Sequence, residues 1–114
     1  MQPGTRIAII GGSAVEQLRG FAPAETAAGA TRWGEPSAPI HAGVFHGVPA
    51  LYLARHGEPH AIAPHRVNYR ANLRALADLG ATHVVALNTV GGIAPGAVPG
   101  SLWLPHDVID YTWG

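Results

Sequence analysis

Three short stretches place polar or conformationally free residues where apolar runs stop. Gly11-Gly12-Ser13 follows Arg6-Ile7-Ala8-Ile9-Ile10. Two glycines let backbone N–H groups converge on an anion, and Ser13 adds a hydroxyl donor. Arg55-His56 follows the apolar run Ala50-Leu51-Tyr52-Leu53-Ala54. A guanidinium offers a fixed fork of donors that matches phosphate oxygens, and the neighbouring imidazole adds a donor that can carry charge near neutral pH. Asn88-Thr89 ends a third apolar run and is followed by Val90-Gly91-Gly92. Polar side chains there are costly unless partnered, so they bind a ligand or hold a loop. The chemistry common to the three is the grip of an anion such as phosphate. Each also has a plainer use: a turn, a surface arginine beside a satisfied histidine, a loop that caps itself.

Other chemistries fit less well. No third glycine follows Gly11-Gly12 at the spacing of a dinucleotide fingerprint, and the Lys-Ser/Thr pair of a P-loop is missing. His56, His60 and His65 lie close in sequence, but Gly57 and two prolines interrupt them and no carboxylate pair completes a ligand set, so no metal is expected. Asp107 and Asp110 suit caps or salt-bridge partners better than an acid/base pair. No residue is assigned a catalytic role.

The elements that must position these residues can be read from periodicity. Residues 6–10 form a buried strand running into a tight turn. Residues 14–18 allow one helical turn, and 21–39, rich in Ala, Gly, Pro and Thr, read mainly as loop. Strands are expected at 40–45 and 50–54, joined through His46-Gly47-Val48-Pro49 as a hairpin. Pro64 suits the first position of a helix. Tyr69, Leu73, Leu76 and Leu79 recur at helical spacing as its apolar face, and Gly80 is the expected left-handed stop. Residues 82–90 form the most apolar strand, with further extended pieces at 101–104 and 108–109. This pattern predicts an α/β fold with a mixed sheet, in which ligands sit where strands run out into loops.

Bulk composition narrows the partners. A chain of 114 residues with seven basic and seven acidic side chains gives no net charge to draw it to nucleic acid or an anionic membrane. It has no cysteine, hence no disulfide framework and no thiolate metal site. No apolar stretch reaches the roughly 18 residues of a spanning helix, and residues 1–6 lack signal-peptide features. A cytoplasmic location is the expectation. Charged residues make up 12% of the chain, about half the share usual in a soluble domain. Much of the surface is therefore expected to lie against more of the same fold or a neighbouring subunit.

Taken in order, the motifs resemble one family. Ile7-Ala8-Ile9-Ile10-Gly11-Gly12-Ser13 resembles the opening strand and phosphate loop of methylthioadenosine phosphorylases. Trp33-Gly34-Glu35-Pro36-Ser37 resembles their aromatic-Gly-x-Pro-Ser segment. Leu53-Ala54-Arg55-His56-Gly57, His60 and Val67-Asn68-Tyr69-Arg70-Ala71-Asn72-Leu73 are similar to their most recognisable block. Asn88 with Val90-Gly91-Gly92-Ile93, and Pro105-His106-Asp107 with Ile109-Asp110-Tyr111-Thr112, look closest to the bacterial methylthioinosine phosphorylase branch. The likeness covers nearly the whole chain.

The resemblance implies a nucleoside phosphorylase α/β/α sandwich around a mixed sheet, of which residues 1–114 are the N-terminal part of a single domain. It implies a homotrimeric pentosyltransferase of purine salvage that needs no cofactor. Its partners are a purine nucleoside and inorganic phosphate, the latter a co-substrate. It assigns phosphate contacts to Ser13, Arg55 and His56, and also to Asn88 and Thr89. Ala14 departs from the glycine common after the Ser/Thr. Family members are more than twice this long, and the ribose and base contacts are expected beyond Gly114. Purine nucleoside phosphorylase proper and a non-catalytic phosphate-binding or oligomerisation module are the competing readings.

Overall fold

The computed structural model describes residues 4–12, 18–27 and 29–112. Ser13 and the helical turn expected at 14–18 fall outside that set, apart from Leu18. Among these residues five strands form one mixed sheet: β1 (Ile7–Gly11), β2 (Phe21–Ala27), β3 (Ile40–Phe45), β4 (Val48–Ala54) and β5 (His83–Ala86). An α-helix, α1 (Tyr69–Asp78), follows β4 after a 3-10 turn at Pro64–Arg66. The strand order is β2-β3-β4-β1-β5. β4, β1 and β5 run parallel, while β2, β3 and β4 are antiparallel neighbours. Gly11 stands opposite Ala54, and Ile10 opposite Ala86. The three parallel strands therefore end level with one another.

The core explains these elements. Every residue from Ala50 to Ala54 is buried, as expected of a central strand covered on both faces. Ala8, Ile9, Ile40, Leu51 and Leu53 cluster with Ala75 and Leu76 of α1. The β3–β4 hairpin turns on His46 and Gly47, both at positive φ (46° and 86°), the conformation a two-residue hairpin loop needs. β4 starts at Val48, so the connection is tighter than the four residues expected. At the C-terminus of α1, Gly80 (φ 82°) donates to Ala77 O and Ala81 donates to Leu76 O, a Schellman stop as anticipated.

Four expectations fail for identifiable reasons. The loop at 21–39 contains strand β2, whose middle residues are all exposed. An edge strand that buries neither face shows no apolar alternation, and Pro23 sits where its register slips against β3. Pro64 starts the 3-10 turn, and the α-helix begins at Tyr69 behind Asn68, whose side chain accepts from Ala71 N at 3.1 Å. Of the expected apolar face of α1, Leu76 is buried and Leu79 packs partly buried against the core. Ala71, Asn72 and Ala75 complete the buried face, whereas Tyr69 and Leu73 are more than half exposed. Two alanines make up half of that buried face, which the spacing of large residues does not reveal. The last strand covers only His83–Ala86 of the expected 82–90, and residues 101–104 and 108–109 adopt no strand.

Candidate anion-binding site

The level ends of β4, β1 and β5 bring the glycine turn, Arg55 and the Leu87-Asn88 junction to one sheet edge. The backbone N–H of Arg55 donates to Gly11 O at 2.9 Å, and Leu87 N donates to Ile10 O at 2.9 Å. Arg55 Nη1 then donates to Leu87 O at 2.7 Å. Its guanidinium thus spans from β4 across β1 to the chain leaving β5. Gly11 is required by this packing, because a side chain there would collide with the Tyr52 phenol. A Cβ on Gly12 would stand 3.1 Å from Arg55 Nη2 and oblige the guanidinium to shift by a few tenths of an ångström.

His56 begins a compact loop. Its carbonyl accepts from Ala61 N (2.9 Å) and Ile62 N (2.8 Å), and Gly57 turns the chain at φ 88°. His56 Nδ1 lies 2.9 Å from Ile62 O. A carbonyl oxygen only accepts, so Nδ1 carries the proton and Nε2 is left as the ring's other polar atom. The His60 ring stacks on His56 with centroids 4.8 Å apart. An open cleft of about 330 Å³ is lined by His56, His60 and residues 61–64.

Of the residues expected to hold phosphate, Arg55 and His56 are half-buried at this edge. Asn88 and Thr89 continue directly from Leu87, whose carbonyl holds Arg55, and both are exposed. Ser13 lies outside the described residues, one position beyond Gly12. Among the described residues no three His, Cys, Asp or Glu side chains gather as a metal site. Asp107 Oδ1 accepts from Val108 N, and Asp110 Oδ1 from Thr112 N, both at 2.8 Å. These carboxylates hold their own turns.

Two polar arrangements pair residues whose mutual contact the sequence does not show. Asn72, 1% exposed, accepts from Ser37 N at 2.7 Å and donates to Ser37 Oγ at 3.0 Å. Asn68 Nδ2 donates to Trp33 O at 2.7 Å, and Arg32 and Arg70 lie over the Trp33 ring. The segment at 33–37 and the start of α1 therefore lock to each other, a structural use for two motif blocks. The second arrangement is His41 Nε2 with Glu58 Oε2, at 2.9 Å. Partners 17 or 35 residues apart carry no local pattern.

The profile of the phosphorylase superfamily matches residues 6–114. A probable S-methyl-5'-thioinosine phosphorylase of Xanthomonas campestris pv. campestris is 49% identical over 108 residues, covering 95% of this chain and 43% of that protein. An S-methyl-5'-thioadenosine phosphorylase of Pyrococcus furiosus is 42% identical over 107 residues, covering 94% and 41%. Methylthioadenosine phosphorylase from Schistosoma mansoni, solved with tubercidin, matches with a TM-score of 0.65 at 40% identity, over 72% of this chain and 29% of that one. The same enzyme with adenine gives 0.63 at 40% identity, over 72% and 28%. The chain thus spans less than half the length of these relatives.

Proposed function

This chain belongs to the phosphorylase superfamily, and from that premise we propose that the protein containing it cleaves a 5'-methylthio purine nucleoside with inorganic phosphate. The substrate is S-methyl-5'-thioinosine or methylthioadenosine. The products are the free purine and 5-methylthioribose 1-phosphate, which makes the protein a pentosyltransferase of purine salvage. The relatives' names support that substrate class. The observation that carries the reading is the Arg55 guanidinium, fixed to Leu87 O and laid against side-chain-free Gly12 at the level ends of three parallel strands.

In this reading Ser13, Arg55 and His56 hold the phosphate, with Asn88 and Thr89 beside them. One phosphate oxygen forms the new bond to the anomeric carbon as the glycosidic bond breaks. The electron pair of the broken bond leaves with the purine, which takes up a proton. Positive charge builds on the ribose in between, and a phosphate held by fixed donors stabilises it while remaining positioned as nucleophile. Neither a metal nor an organic cofactor has a part. Residues 1–114 supply the N-terminal part of a single domain, which works as a homotrimer in the cytoplasm. No described helix is long and apolar enough to cross a membrane.

The test is release of base by the complete protein from S-methyl-5'-thioinosine, methylthioadenosine and inosine, each with and without phosphate. Phosphate-dependent release of hypoxanthine or adenine from a methylthio substrate is expected. Preference for inosine would assign a purine nucleoside phosphorylase instead, and release without phosphate would remove phosphorolysis.

A further inference from the structure

The loop carrying Arg55 and His56 is fastened to the antiparallel half of the sheet by the His41–Glu58 pair. His41 lies on β3 opposite Tyr52 of β4. Glu58 lies three residues after Arg55 and two after His56. The side chains of the pair keep 14% and 21% of their exposure, so water screens them far less than a surface pair. The other carboxylate oxygen, Glu58 Oε1, is buried without a hydrogen-bond partner. Among the described residues the bond from His41 is thus the one that engages this carboxylate. On the far side of His41, Thr26 Oγ1 of β2 stands 3.5 Å from Nδ1, which continues the chain of polar groups to the sheet edge. The loop's backbone bonds, Gly57 N to Ala54 O and Ala61 N and Ile62 N to His56 O, are internal to it. They shape the loop and do not fix it to β3.

We propose that His41 and Glu58 are positioning residues for the anion site, an inference that rests on the phosphate reading above. The pair has two effects. It ties the loop to β3, so that Arg55 and His56 keep their placement over Gly12 and the cleft. It also occupies one oxygen of the Glu58 carboxylate with His41 Nε2, which holds that group in place beside a site for a dianion, where like charge repels the ligand. A purely structural tie at this point would do as well with an apolar contact. A carboxylate beside an anion site needs its donor.

The experiment compares Arg55→Ala, His41→Ala, Glu58→Ala and Glu58→Gln in the complete protein. It measures equilibrium binding of inorganic phosphate, KM for phosphate and for nucleoside, and melting temperature. Displacing catalytic groups by about 1 Å costs up to about a hundredfold, so loss of the tether is expected to weaken phosphate binding roughly tenfold in His41→Ala and Glu58→Ala. KM for nucleoside should hold. Glu58→Gln keeps an acceptor for His41 and should recover most of the loss. Should an alanine variant not fold, His41→Leu, which refills the volume without the bond, carries the same expectation. Phosphate binding unchanged in these variants overturns the inference. So does a fall that runs in parallel with nucleoside KM and melting temperature, or a Glu58→Gln variant no better than Glu58→Ala. If Arg55→Ala weakens phosphate binding and the His41 and Glu58 variants do not, this inference alone fails. If Arg55→Ala also binds phosphate normally, the phosphate reading fails with it.

Discussion

Arg55 commits one Nη1 hydrogen to Leu87 O and rests Nη2 on Gly12, which fixes the plane of the fork before any anion arrives. A charged, hydrogen-bonded contact is worth roughly 1.5–3 kcal/mol, or about ten- to a hundredfold in affinity. Arg55→Ala in the complete protein is expected to weaken phosphate use by that factor. Arg55→Lys should recover only part, because the ammonium keeps the charge and loses the fork. Phosphate kinetics unchanged in both variants would take Arg55 out of the site. At His56, Nδ1 donates to Ile62 O, which fixes the ring and leaves Nε2 as its other polar atom. His56→Ala is expected to weaken phosphate and sulfate binding, with His60→Ala, which removes the ring stacked on it, as the control. Unchanged anion affinity in His56→Ala would take His56 out of the site. The placement of Arg55 and His56 at the sheet edge was legible in the sequence, because the residues after an apolar strand run stand where that strand ends. His41–Glu58 was not, since a tertiary pairing leaves no trace in spacing.

Element by element, legibility follows how much of each element's stability is local. β1, β3 and β4 are apolar runs that bury themselves, and the stop at Gly80 comes from a backbone conformation that glycine adopts freely. Gly80 is surrounded by open space, so Gly80→Ala adds no clash and tests the conformation alone. The left-handed region costs a residue with a Cβ roughly 1–2 kcal/mol, and a thermal melt should show a loss of that size. A melting temperature that is unchanged or raised would mean the helix does not depend on this stop. β2 and the buried face of α1 were illegible for the converse reason. β2 is held by its ladder to β3 rather than by burial. The α1 face is chosen by what the sheet can accept, which is Ala71, Ala75, Leu76 and an Asn72 bonded through both amide atoms to Ser37, rather than Tyr69 and Leu73. A polar residue in the core reads as a surface residue until its partner, here Ser37, is known.

For the whole molecule, the decisive feature is the side of the sheet beyond β1. β5 is the outer strand there, yet all four of its residues are exposed, Val84 and Val85 among them. The chain that follows exposes Val90, Ile93, Leu102, Leu104 and Ile109, with Ile93 and Leu104 almost entirely open to solvent. Monomeric soluble proteins rarely leave contiguous apolar surface of this kind uncovered, and an open edge strand recruits other chains. The low share of charged residues, 12%, points the same way. Expressed alone, residues 1–114 are therefore expected to self-associate, with apparent mass rising with concentration in sedimentation or size-exclusion measurements. They are also expected to release no base from a methylthio nucleoside. The groups argued above are proposed to hold the phosphate alone, and the chain spans less than half the length of its relatives. The two halves of the expectation separate cleanly. A monodisperse, cooperatively melting 114-residue protein that releases hypoxanthine or adenine would refute both. An inactive monomer would refute only the association, and would mean that the exposed valines and leucines after β5 do not suffice to draw chains together.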